Sequence, residues 1–175
     1  MAHSIAKTFK ANRNDNLCTP KILVEALKPY FEKWQYQNKH TGMYIGGLNL
    51  GNGYGMHEVL HEITVWCPFD KESSEFVLFF EENFPEVKVV YSHIDDGQDF
   101  FEYEPEHYDI VISNPPFSRK LDVFKRLNKL GKPWVMLSNV MCLNYMEIGN
   151  YFADNPVQLL VPDKRVSFDG NTSSF

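Results

Sequence analysis

The chain has 175 residues, 43% of them hydrophobic and 15% aromatic, which is enough apolar material for one globular domain with a sizeable core and argues against disorder. Its formal charge of -6 argues against a broad, non-specific hold on nucleic acid, which relies on clustered Lys and Arg, and leaves room only for a local basic patch. No apolar run reaches the length of a membrane span, and the opening "MAHSIAKTFKANRND" lacks the apolar segment of a signal peptide, so a cytoplasmic chain without membrane contact is expected.

In chain order, "CTPKILVEALKPYFEKW" places Ile22, Leu23, Ala26, Leu27, Tyr30 and Phe31 at helical spacing. Thr19 stands as N-cap and Pro20 at the first helical position. Residues 41–56 hold six of the ten glycines without phosphate-loop spacing, which reads as a flexible insertion or hairpin before it reads as a nucleotide-binding loop. His57 and His61 lie four apart in "HEVLHE", but the pattern is not H-E-x-x-H. With Cys18, Cys67 and Cys142 widely spaced, neither a metal site nor a disulfide framework is expected.

From His61 onward, "ITVWCPF" reads as a buried strand, "ESSEFVLFFEENF" as a helix, "VKVVYSHI" and "DIVIS" as strands, "KLDVFKRLNKL" as a helix and "PWVMLSNV" as a strand. "NYMEIGNYFADN" and "VQLLVPDKRVSF" continue the alternation. Strands alternating with helices predict a mainly parallel sheet flanked by helices. With no internal repeat and no linker, residues 1–175 are expected to form one domain without a separate target-recognition domain.

In an open parallel sheet, ligands bind outside the carboxyl ends of the strands. "CPFD" (67–70), "SHIDDGQDFF" (92–101), "SNPPFS" (113–118) and "SNVM" (138–141) occupy those ends. In "SNPPFS", the Asn114 amide oxygen and the Pro115 carbonyl can both accept hydrogen bonds from one amino group, because proline stiffens the chain and leaves its carbonyl free. Phe117 offers a face to a planar ring, an interaction worth about 1–3 kcal/mol for a base. Downstream, Arg119, Lys120, Lys125, Arg126 and Lys129 face the single acid Asp122. That run is either a phosphate-binding patch or a solvated helix face.

A strand followed by "NPPF" resembles the [DNS]-P-P-[FYW] motif of class I S-adenosylmethionine-dependent amino methyltransferases. The longer pattern, with "TP" early, "WCPFDKESSEFV", "VVYSHIDDGQDFFEYEPEHYDIVISNPPFS" and "DKRVSF", is similar to phage-encoded adenine-specific DNA methyltransferases of the EcoRI type over most of residues 17–169. The resemblance implies a Rossmann-like sandwich, S-adenosyl-L-methionine as cofactor, and methyl transfer to an exocyclic nitrogen, adenine N6 in DNA before an RNA base or a protein glutamine. It implies Asn114, Pro115, Pro116 and Phe117 as the catalytic motif. It also implies Cys67, Pro68, Phe69 and Asp70, closed over by Thr19 and Pro20, around the methionine end, with Asp99 and Phe100 beside the adenine and Asp70 or Asp95 on the ribose.

The first strand departs from the family's usual D-x-F-x-G-x-G. Each of these residues also has a plain structural role open to it: Asp70 as a helix cap, Asp99 as a turn cap, Phe100 as core. The chain stops where the family's sheet continues, so the C-terminal hairpin is expected to be incomplete. Target recognition is then expected from a second copy or a separate partner, and a non-catalytic nucleic-acid-binding or partner-binding module is the reading from outside the enzyme class.

Overall fold

The computed structural model describes residues 19–41, 62–164 and 166, without the side chains of residues 39–41 and 117. The glycine-rich stretch from residue 42 on, His57, His61 and Cys18 lie outside the described residues. Four strands, β1 (Thr64–Pro68), β2 (Lys88–Ser92), β3 (Ile110–Ser113) and β4 (Trp134–Met136), form one parallel sheet in the order β2-β1-β3-β4. Five helices accompany it: α1 (Lys21–Glu25), α2 (Lys28–Thr41), α3 (Glu75–Asn83), α4 (Lys120–Leu130) and α5 (Met146–Asp154).

Alternation of side chains along each strand sorts the core into two layers. Val65 and Cys67 of β1, with Ile110 and Ile112 of β3, pack against Val24, Phe31, Phe76 and Phe80 of the first three helices. Trp66 and Val111, one residue out of phase, pack against Val123, Phe124 and Leu127 of α4 and Ile148 of α5. The chain is thus helices, parallel sheet, helices. Strands buried on both faces carry continuous apolar runs, which explains the sequence signal of β1 and β3.

Three expectations about elements are corrected. The early helix is two helices: α1 ends at Glu25 and α2 starts at Lys28, because Pro29 has no N–H to continue the ladder and its ring crowds the preceding turn. Pro20, not Thr19, is the N-cap of α1, and no side chain caps that helix. Residues 156–162 form no strand, and Leu159, Leu160 and Val161 are exposed. The crossover from β2 to β3 contains only a 3-10 turn, Ile94–Asp96, and its Phe100 and Tyr108 cover the Trp66 side of the sheet. Among the described residues, no helix is long and apolar enough to cross a membrane, and no group of His, Cys, Asp or Glu is arranged to hold a metal ion.

Candidate functional site

The chain leaves β1 through α3 to reach β2 on one side and later returns to place β3 on the other side of β1. The two connections therefore diverge at the carboxyl ends of β1 and β3, opening the crevice in which such sheets take ligands. Phe69 and Asp70 leave one wall and Asn114 and Pro115 leave the other.

Phe69 turns left-handed, with φ 78°, the one non-glycine residue with positive φ among the described residues. A side chain there costs about 1–2 kcal/mol. The conformation is held because the Phe69 N–H donates to the Ser92 carbonyl at 2.8 Å and its ring packs 4.8 Å from that of Phe100. This turn stands where class I amino methyltransferases, which the sequence resembles, usually place glycines, and here the chain makes the bend under strain rather than with glycine.

Asp70 is buried and is no helix cap. Its Oδ2 meets the Ser113 hydroxyl, which also contacts the Pro68 carbonyl. Burial, the largest effect, pushes its carboxyl up to about 7, against the lowering influence of hydrogen bonds from Ser113 and Ser74. Ser113 was not singled out from sequence. Its signal was a hydroxyl ending an otherwise apolar buried strand.

Asn114 donates through Nδ2 to Thr19 Oγ1 at 3.1 Å, while its Oδ1 is buried and has no hydrogen-bond partner. Leaving such an acceptor unpaired costs about 1–3 kcal/mol, so the orphan oxygen marks a place where a donor is awaited. Thr19 spends its hydroxyl on this amide instead of on its own helix. Pro115 is buried beside it, Pro116 precedes a 3-10 turn over Phe117–Arg119, and the Phe117 ring lies outside the described side chains.

The acids of the β2 end separate. Asp95 is exposed and pairs with Lys71 at 2.8 Å, and that hydrogen bond first, then His93, holds its carboxyl below the ordinary range. Asp99 accepts the Phe101 N–H at 3.0 Å and so closes a turn. Phe100 is only 3% exposed, with its ring against Trp66 and Phe69. It packs as a core residue. Ser92 ends β2 by accepting from the Trp66 indole at 3.0 Å, so that strand end is structural.

The basic run also divides. Lys120 is 7% exposed. Arg126 donates to the Tyr103 carbonyl at 3.0 Å and stacks 5.3 Å from the Phe100 ring centre, and Arg119 covers Phe101 at 3.7 Å while pairing with Asp122. These two arginines fasten the β2–β3 crossover to α4. Lys125 and Lys129 remain exposed, while Arg119, Lys120 and Arg126, three of the five residues of the expected patch, are engaged within the fold.

No protein-family model, no curated protein and no solved structure matches the chain. Of the residues that the resemblance implies for S-adenosyl-L-methionine, Thr19 and Phe69 lie at the crevice with Asn114. Asp95 carries an exposed carboxylate paired with Lys71, and Asp70 is turned inward on Ser113.

Proposed function

We propose that the chain transfers the methyl group of S-adenosyl-L-methionine to an exocyclic amino group, with adenine N6 in DNA as the substrate, on a Rossmann-like sandwich. One observation carries the reading: a buried, unpartnered amide oxygen beside a rigid prolyl carbonyl at the sheet's switch point. When bound, the cofactor supplies an activated sulfonium methyl. Thr19 and Pro20 with the Phe69 turn would hold its methionine end, Asp95 its ribose hydroxyls and Asp99 the rim near its base.

Asn114 Oδ1 and the Pro115 carbonyl then accept the two N–H bonds of the target amine. This turns the nitrogen lone pair outward and holds it in line for transfer. Two successive prolines keep both acceptors fixed, and Phe117 is assigned to stack on the ring. A base in duplex DNA would have to leave the stack to reach this position. With only Lys125 and Lys129 exposed along the basic run, sequence recognition is assigned to a second copy or a partner chain, acting in the cytoplasm.

The test is incubation with methyl-labelled cofactor and separate DNA, RNA and protein pools. Label is expected in DNA, and Asn114→Ala should lower the rate by ~10²–10³, the usual loss for one polar group in a dry site, with cofactor affinity nearly unchanged. Label in the RNA or protein pool would replace the substrate. No label in any pool together with no calorimetric binding of the cofactor would defeat the proposal.

A further inference from the structure

The Ser113 hydroxyl has two hydrogen-bonding neighbours, the Pro68 carbonyl and Asp70 Oδ2, but it carries one proton. A carbonyl only accepts. If Ser113 donates to Pro68, its contact with Asp70 needs a proton from the carboxyl. Two acceptor oxygens held against one another without a proton would repel. We propose that Asp70 is a neutral carboxylic acid that donates to Ser113 while Ser113 donates to Pro68, forming a proton-dependent brace between the two walls of the crevice.

The surroundings fit a neutral acid. Asp70 is buried, and among the described residues no cation is paired with it. Its side-chain neighbours are uncharged: Ser113 from β3, Ser74 before α3, and the Cys67 thiol from β1, itself pushed up by burial and by Asp70. Lys71, next in the chain after Asp70, pairs instead with the exposed Asp95, which His93 also contacts just past the end of β2. At the start of α4, Arg119 is paired with Asp122 and Lys120 is buried. The upward displacement of the Asp70 carboxyl to about 7 agrees with the proton count but is not needed to reach it.

The brace ties residues that matter to the site. Pro68 precedes the left-handed Phe69, and Ser113 precedes Asn114. When Asp70 releases its proton to water, the Ser113 hydroxyl turns to the new carboxylate, the stronger acceptor, and the Pro68 carbonyl loses that donor. Both walls therefore register the ionisation. The inference holds whatever ligand the crevice takes, so it stands or falls separately from methyl transfer.

The experiment is a pH titration of the full chain, labelled with ¹³C and ¹⁵N, followed by NMR. The Asp70 carboxyl carbon is expected to titrate near pH 7, and the Phe69 and Asn114 amides should move with the same midpoint. In Asp70→Asn both amide steps should vanish. In Ser113→Ala the Asn114 amide should no longer follow Asp70. An Asp70 carbon titrating in the ordinary carboxylate range, or amide steps that survive in Asp70→Asn, would overturn the brace. If Asp70→Asn does not fold, the midpoint of the wild-type carbon decides alone.

Discussion

At the amino ends of β1 and β3 the polar groups have met their partners: the Thr64 N–H donates to Asp109 Oδ2 and the Asp109 N–H to the Thr64 carbonyl, each at 2.8 Å. At the carboxyl ends of the same strands lie a buried acid, an orphan amide oxygen and a left-handed phenylalanine. A hollow does exist at the amino end, between Trp34, Asn38, Ile63, Asp109, Lys132 and Pro133, yet Asn38 and Asp109 are already committed. The contrast shows that concavity alone does not make a site. A buried orphan also occurs in the packing of α4, at Arg126 Nε, so what sets the carboxyl ends apart is the coincidence there of an unmet acceptor with backbone strain, both costly.

The comparison can be tested most strongly through Asp70. A folded-state carboxyl near 7 against an ordinary 3.8 contributes stability that is fully present below about pH 4, falls as pH rises, and is gone above about pH 7. Relative to Asp70→Asn, the wild type should lose up to about 1.4 kcal/mol per pH unit across that window, on the order of 4 kcal/mol in all. Urea denaturation at several pH values would show this. A flat difference between the two proteins would place Asp70 with the satisfied groups of the opposite end.

The amino end should respond differently. Asp109→Ala leaves the buried Thr64 N–H without its acceptor and should lower stability by about 1–3 kcal/mol while leaving methyl transfer by the folded protein unchanged. A loss of turnover without loss of stability would erase the distinction between the two ends.

A smaller effect isolates the strain at Phe69. Glycine is usually worse than alanine in extended structure, but here Phe69→Gly should be more stable than Phe69→Ala by about 1 kcal/mol, because only glycine adopts this φ without penalty. Thermal unfolding of the pair gives the sign, and alanine proving the more stable would remove strain from the account.

The smallest effect concerns α4. Replacing Lys125 and Lys129 by Gln should change stability by no more than about 0.5 kcal/mol, yet weaken DNA binding for every sequence and flatten its salt dependence. Unchanged salt slopes would make them a solvated face.

Much of the architecture was legible because burial on both sides of a strand writes itself into local composition. The apolar runs of β1 and β3 and the helical spacing of α3 and α4 could be read directly. The break at Pro29 was also written in the chain, as a missing donor inside an otherwise helical pattern. The basic run could not be divided from sequence, because Lys120 and Arg126 look alike there to Lys125 and Lys129, and only the fold shows Lys120 buried and Arg126 over the Phe100 ring. Residues 156–162 misled for a related reason: strand-like composition does not supply a neighbouring edge with which to pair.

Sequence alone thus determined the alternation of strands and helices, and hence which segments end at the mouth of a parallel sheet, because those properties depend on neighbours a few residues apart. Tertiary structure decided what each residue at that mouth does. Asn114 finds Thr19 across 95 positions of chain and Asp70 finds Ser113 across 43. The orphan oxygen on Asn114 and the proton on Asp70 follow from which partners arrive and which do not. Hydrogen bonds saturate and burial is collective, so neither property is carried by the residue's identity or its spacing.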